Sequence, residues 1–257
     1  MTELITVADV RLTSFWHCFG TERHRADLDT VVGLLRASGT NVLPINTHRL
    51  DEGRRRDALE HGFAGVAYDE VGERVDVSAY VKMVNVNLRT TADEAVRIAK
   101  LAVDMTGERV IKLEVLTPDL RSSRDDQVVE AAERLIEWDA SLVVLPLLSN
   151  DHGAAQRAVD AGCPLLRVMG SPIGARAGIL DAATFAKTCE LPVPVVLDGG
   201  VGTVDHVRDA AAAGAAGILV NSVLFDDGRP PVQVMTDFRE AAESHFGMGA
   251  LQETGTS

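Results

Sequence analysis

Lys112 and Glu114 stand two residues apart in the run Val110-Ile-Lys-Leu-Glu-Val115. Alternate side chains of an extended strand share a face, so the amine and the carboxylate project together while Ile111, Leu113 and Val115 project the other way. Two charged groups aimed at an interior carry a cost unless they pair or act. They are therefore either an ion pair that supports the core or a reactive site. In the reactive reading burial depresses the lysine pKa, the amine attacks a carbonyl, and the neighbouring carboxylate moves the proton. Asp198, at the end of Val193-Pro-Val-Val-Leu-Asp198, is a second acid–base candidate for the same space.

Three loop segments offer places for an anion. They are Asp198-Gly-Gly-Val-Gly-Thr203, Gly170-Ser-Pro-Ile-Gly174 and Asn221-Ser222. Glycine lets backbone amides approach an anion closely, and a helix amino terminus favours negative charge. The alternative is that the glycines only turn the chain. There is no HxH or HExxH spacing, which predicts no metal, and no GxGxxG after a first strand, which leaves a dinucleotide cofactor unsupported. We expect no cofactor.

Positioning these groups requires a regular frame. Eight apolar runs read as strands: Phe15–Phe19, Val42–Thr47, Val81–Asn87, Val110–Leu116, Leu142–Leu148, Leu165–Met169, Val193–Asp198 and Gly217–Asn221. Most lack polar alternation, as parallel strands covered on both faces do. Helical patterns follow over Asp27–Ala37, Thr91–Val103, Gln127–Trp138, Gly153–Ala161, Ala182–Cys189, Val204–Ala213 and Val232–Phe246, with a poor one over Gly53–His61. Thr91-Ala-Asp-Glu94 predicts a capping box. Alternating strands and helices predict an α/β (β/α)₈ TIM barrel, with an open doubly wound sheet as the other architecture. One domain over residues 1–246 and a mobile tail over 247–257 are expected, with extra local structure in Ala64–Tyr80. In such a barrel the active site lies at the carboxyl ends of the strands.

Composition limits the partners. The 257 residues carry 25 Lys+Arg against 38 Asp+Glu, a net charge of −13, which argues against nucleic acid or an anionic membrane as the partner. The apolar runs are too short for a membrane helix, and no leader pattern opens the chain. Cys18, Cys163 and Cys189 are far apart and read as reduced thiols of a cytoplasmic protein. Trp138 and Phe238 sit at helical spacing and read as packing residues.

The combination of Lys112-Leu-Glu-Val115, Gly170-Ser-Pro-Ile-Gly174, Asp198-Gly-Gly-Val-Gly-Thr203 and Leu219-Val-Asn-Ser222 resembles the bacterial thiazole synthase family of thiamin biosynthesis. The resemblance implies a homo-oligomeric barrel in which Lys112 forms an imine with a sugar phosphate while Glu114 and Asp198 move protons. It further implies that Gly174, Gly199, Gly200, Asn221 and Ser222 hold the phosphate, so that a side chain at Gly200 would obstruct the anion. Sulfur would come from a sulfur carrier protein ending in a Gly-Gly thiocarboxylate.

Departures cluster at strand ends. Gly20-Thr-Glu-Arg-His24 stands where the family reads Gly-Thr-Gly, and Asn85-Val-Asn-Leu88 where it reads Asn-Thr-Ala-Gly. Ser123-Arg-Asp125 replaces Leu-Pro-Asp, and Leu147 replaces Tyr. An unchanged imine site with altered surroundings resembles the 2-thiosugar synthases, which would convert glucose 6-phosphate to 2-thioglucose 6-phosphate. The other expectations are a thiazole synthase acting on 1-deoxy-D-xylulose 5-phosphate and a silent barrel that only docks a carrier.

Overall fold

The computed structural model describes residues 4–18, 26–50, 60–61, 66 and 68–247. The Gly20–His24 loop, all but the end of the Gly53–His61 segment and the tail beyond Gly247 lie outside the described residues. The chain opens with an antiparallel hairpin, β1 (Ile5–Val7) and β2 (Val10–Leu12), turned through Ala8 at φ 53°. Then come β3 (Phe15–His17), β4 (Val42–Asn46), a two-residue β5 (Glu60–His61) antiparallel to β4, and β6 (Val81–Val86). The remaining strands are β7 (Val110–Leu113), β8 (Val143–Leu148), β9 (Leu166–Val168), β10 (Val195–Asp198) and β11 (Gly217–Val220).

Eight of these run parallel in the order β3-β11-β10-β9-β8-β7-β6-β4 and form a nearly closed barrel. The (β/α)₈ expectation is met; the doubly wound alternative is not. The seam lies between β3 and β4, where side chains replace a ladder. Asn41 Oδ1 accepts from Thr13 N (2.9 Å), Asn41 Nδ2 donates to the Arg11 carbonyl (2.8 Å), and the Thr13 and Thr40 hydroxyls lie 2.8 Å apart.

Helices α1 (Leu28–Ser38), α2 (Tyr68–Gly72), α3 (Ala92–Thr106), α4 (Asp125–Trp138) and α5 (His152–Asp160) alternate with the strands. They are followed by α6 (Ala182–Cys189), α7 (Asp205–Ala212), α8 (Val223–Asp226) and α9 (Pro231–Phe246). Asp27 caps α1 through Thr30 N (2.7 Å), and Thr91 caps α3 through Glu94 N (3.3 Å). The reciprocal Glu94 carboxylate bonds Thr90 N, one residue earlier than the expected box partner. The extra structure expected before the third barrel strand consists of α2 and a 3₁₀ turn over Val77–Ala79.

Strand alternation sorts the core into two compartments. Phe15, Leu43, Val84, Ile111, Val144, Leu166, Leu197 and Ile218 face the helices. Trp16, Met83, Leu145 and Val196 instead pack with Ile5, Val7 and Leu12 of the hairpin, which plugs the amino-terminal end of the barrel. Phe238 is buried as expected. Trp138 is not a core residue: it is 40% exposed, with the Lys100 ammonium 4.8 Å from its ring centroid.

Closure of β11 on β3 depends on Gly217. A Cβ there would stand 2.4 Å from the Ser14 carbonyl oxygen, which also accepts from Ile218 N at 2.8 Å. Gly217→Ala should therefore force the two strands apart and cost about 2 kcal/mol, the scale of core overpacking. Urea unfolding checks this; a variant within about 0.5 kcal/mol of the parent, the scale of neutral surface changes, refutes it.

Candidate active site

The register of the parallel ladders sets the floor of the site. Asn85 of β6 lies opposite Lys112 of β7, which lies opposite Leu145 of β8. Arg167 of β9 lies opposite both Leu147 of β8 and Val196 of β10. The inward positions of adjacent strands thus bring a lysine, an arginine and two carboxylates to one level of an otherwise apolar interior.

Lys112 Nζ donates to Glu114 Oε1 in a short contact and to Asn85 Oδ1 at 3.3 Å, and lies 3.8 Å from Asp198 Oδ2. Arg167 takes the same two carboxylate oxygens from the other side. Its Nη2 stands 2.7 Å from Glu114 Oε1 and 2.6 Å from Asp198 Oδ2, and its Nε donates to Asp198 Oδ2 at 2.7 Å. Nη1 is held by the carbonyls of Leu113 (3.3 Å) and Leu145 (3.2 Å). Lys112 is 3% exposed and Arg167 fully buried. Two cations and two anions therefore alternate at this level, with no formal charge left over.

Burial alone would raise the Glu114 pKa, but attraction to Lys112 and Arg167 and their hydrogen bonds outweigh it and hold the carboxyl below its ordinary value. Burial likewise opposes the Arg167 charge, and Asp198 and Glu114 more than restore it. Cys18, beyond β3, lies 3.4 Å from Asn85 Nδ2, and burial pushes its thiol up to about 11. Burial raises Cys163 and Cys189 to about 12.

Above this floor opens a cavity of about 520 Å³ at the carboxyl ends of the strands. Its lining includes Lys112, Glu114 and Asp198. Gly174, Gly199, Gly200, Asn221 and Ser222 line it too, so every site residue singled out from sequence meets one space. The glycine loops are tied to each other. Gly170 N donates to the Gly199 carbonyl (3.1 Å), Gly178 N to the Gly200 carbonyl (2.8 Å), and Gly202 N to His206 Nδ1 (3.1 Å). Gly174, Gly199 and Gly200 have φ of 80°, 112° and 85°, a region that favours glycine.

The expectation for Gly200 needs refining. A Cβ at Gly200 would fall 2.0 Å from Ser171 Oγ, so a side chain there collides with the neighbouring loop before it obstructs an anion. Gly174 has nothing within 4 Å of its Cβ position, so a side chain there meets backbone strain at φ 80° but no neighbouring atom.

Arg167 escaped the sequence reading, although the rule that found Lys112 applies to it: Leu165-Leu-Arg-Val-Met169 places one charge among apolar residues of a strand. Asn85 and Cys18 were also not identified as parts of the floor. The rim carries Leu88 and Leu120, both at positive φ (59° and 58°), together with Arg121 and Arg176.

Residues 8–252 match the family model described as "Thiazole biosynthesis protein ThiG". The thiazole synthase of Cronobacter sakazakii is 32% identical over 224 residues, 84% of this chain and 81% of that protein. That of a Synechococcus species is 36% identical over 194 residues, 71% and 70% of the two chains. Among solved structures, a chain of the Amycolatopsis orientalis BexX/CysO complex superposes with a TM-score of 0.82 at 24% identity, covering 96% of this chain and 95% of that one, a likeness of fold.

The lowered Glu114 pKa has a consequence for stability. A carboxyl with a depressed folded pKa stabilises the fold above its unfolded value, about 4.3 for Glu, and loses that contribution as pH falls through the depressed value. Glu114→Gln should therefore flatten the fall in unfolding free energy across that acid window, measured by urea titration at a series of pH values. Equal slopes in parent and variant would contradict the assigned ion pairing.

Proposed function

The chain belongs to the thiazole biosynthesis protein ThiG family, and from that premise we propose that it is a sulfur-transfer synthase making a 2-thiosugar phosphate through an imine on Lys112. The observation that carries this reading is the meeting of one amine and two carboxylates at the floor of a cavity walled on one side by glycine loops. The cavity volume lies within the roughly 300–1,000 Å³ usual for small-molecule sites. The glycine loops and Asn221-Ser222 would take the phosphate, and the floor would take the carbonyl.

Glucose 6-phosphate in its open form offers an aldehyde. The neutral Lys112 amine adds to that carbon and water leaves, giving an imine. A carboxylate removes the proton from C2, the electron pair moves onto the imine nitrogen, and the enaminol becomes a 2-ketone with Lys112 still on C1. The carrier thiocarboxylate adds through sulfur to C2, its acyl group passes to the C2 oxygen, and the carrier leaves as a carboxylate with that oxygen. Reversal of the first tautomerisation and hydrolysis of the imine release the thiosugar. The net change exchanges the C2 hydroxyl oxygen for sulfur and needs no oxidant or reductant.

Two features favour this over thiazole formation. Asn87, Leu88 and Leu147, three positions where the sequence departs from the thiazole synthase pattern, all line the cavity. Leu147 joins Leu116 and Met169 in an apolar cluster, with Ile173 against it, where a tyrosine hydroxyl is otherwise expected. An external sulfur donor fits the cysteines: three thiols raised to about 11 or 12 are poor relays at neutral pH. Use of a carrier also fits the fold shared with the chain of the BexX/CysO complex.

Incubation with glucose 6-phosphate or 1-deoxy-D-xylulose 5-phosphate, borohydride reduction and peptide mass spectrometry test the proposal. The expected result is a glucose 6-phosphate adduct on Lys112, absent in a folded Lys112→Ala protein. An adduct with the pentulose phosphate alone selects the thiazole reading, and no adduct with either leaves only carrier docking. Glu114→Gln and Asp198→Asn should bind the sugar yet slow exchange of its C2 hydrogen with deuterated solvent by about 10²-fold or more. Replacement of all three cysteines should leave product formation from a thiocarboxylated carrier intact; loss with imine formation preserved would favour a cysteine relay.

A further inference from the structure

Arg167 has no part in the imine chemistry just described, yet it occupies the centre of the floor. Its side chain is fully buried and every group around it is placed. Nη1 is fixed on two main-chain carbonyls of β7 and β8, which sets the plane of the guanidinium. Nε and Nη2 then face Asp198 and Glu114. The oxygens it holds, Glu114 Oε1 and Asp198 Oδ2, are the carboxylate oxygens that pair with Lys112 Nζ.

We infer that Arg167 is the positioning residue of the site: it acts on Lys112 through the two carboxylates, holding their shared oxygens so that Lys112 can leave the ion pair without stranding buried negative charge. With Arg167 present, a proton moving from the Lys112 ammonium to the Glu114 carboxylate converts two cations and two anions into one of each. The remaining pair, Arg167 with Asp198, is already hydrogen-bonded. Without Arg167 two buried carboxylates share one lysine, and like charges so close resist joint ionisation. The lysine then stays protonated as their counter-ion, and a carboxylate that must accept a proton is occupied.

The other groups facing Lys112 do not replace this charge. Glu114 directly follows the strand of Lys112, and Asp198 ends β10. Cys18 beyond β3 carries a thiol pushed up to about 11, and Asn85 of β6, Leu145 of β8 and Leu219 of β11 are uncharged. Arg167→Lys would keep the charge but give up hydrogen bonds, because the guanidinium donors span two carboxylates and two carbonyls.

The inference rests on Lys112 being the nucleophile, and a measurement that needs no sugar separates the two ideas. Reductive methylation of Lys112 by formaldehyde and cyanoborohydride, followed across neutral and alkaline pH by peptide mass spectrometry, reports how readily the amine loses its proton. In Arg167→Met the pH of half-maximal labelling should rise by about one unit or more relative to the parent, the scale of a single charge neighbour. Arg167→Lys, which retains the charge, should restore that midpoint, and circular dichroism should establish that each variant is folded. Where sugar trapping occurs, its acid limb should shift by the same amount and recover at alkaline pH.

A lowered labelling amplitude with an unmoved midpoint in Arg167→Met would mean a structural role only and overturn the inference. So would an Arg167→Lys midpoint displaced as far as that of Arg167→Met. Should Arg167→Met fail to fold, the lysine variant decides alone: a midpoint within a few tenths of a unit of the parent supports the charge role, and a rise of about one unit rejects it. Failure of sugar trapping with the expected labelling shift would remove the imine reading and leave the role of Arg167 standing.

Discussion

Burial of four charges on one level of a parallel barrel is the constraint from which the rest of the interior follows. A single ion moved into such an interior costs several kcal/mol even after relaxation, and removing one partner of a buried pair costs about 3–5 kcal/mol. Lys112, Glu114, Arg167 and Asp198 meet that cost by alternation, one oxygen of each carboxylate lying between an ammonium and a guanidinium. The carbonyls of Leu113 and Leu145 and the amide of Asn85 take remaining donors. The quartet is therefore satisfied largely by groups that the strand register delivers without help from loops.

That delivery requires a barrel that does not leak from below. The level beneath the charges holds Trp16, Met83, Leu145 and Val196, and the β1–β2 hairpin seals it with Ile5, Val7 and Leu12. The indole of Trp16 is itself satisfied, donating to the Thr13 carbonyl at 2.5 Å. The hairpin is pinned by the ion pair between Asp9 and Arg109, the residue just before β7. A dry underside keeps the local dielectric low, which strengthens the interactions in the quartet and raises the cost of leaving one unpaired. The same burial keeps Cys18 a neutral thiol although it stands beside the charged level.

Much of this was legible in residue order. Alternation placed Lys112 and Glu114 together, the end of the Val-Val-Leu-Asp run placed Asp198 with them, and eight apolar runs gave the barrel. Arg167 carries no such signal, because a lone arginine amid Leu-Leu and Val-Met has no partner within its own strand. Its partners sit 31 and 53 residues away, and only the ladder register reveals them. Side-chain contacts across loops are equally hidden: Ser171 against Gly200, and His206 against Gly178, depend on how two turns lean together. Trp138 departs from the packing role its spacing predicts because helical spacing defines a face without stating what covers it, and here a lysine covers one side of an exposed ring.

The division between floor and rim gives the sequence departures a physical meaning. Floor positions are set by parallel registers, where each inward residue is fixed by neighbours on two strands, so a change there disturbs a charge balance. Rim positions are set by loops with local closures, such as the Thr117–Ser122 turn that holds Leu120 at positive φ and the Ser123 hydroxyl on the Leu147 carbonyl. A loop of that kind can exchange side chains while its own hydrogen bonds keep its path. Leu88, Leu120 and Leu147 can thus reshape what the cavity admits without touching the quartet of Lys112, Glu114, Arg167 and Asp198. A barrel of this design separates the shape of the cavity mouth, set at the rim, from the charge balance, set below it. Arg167 belongs wholly to the lower level, because every contact it makes is with a strand residue or the end of one.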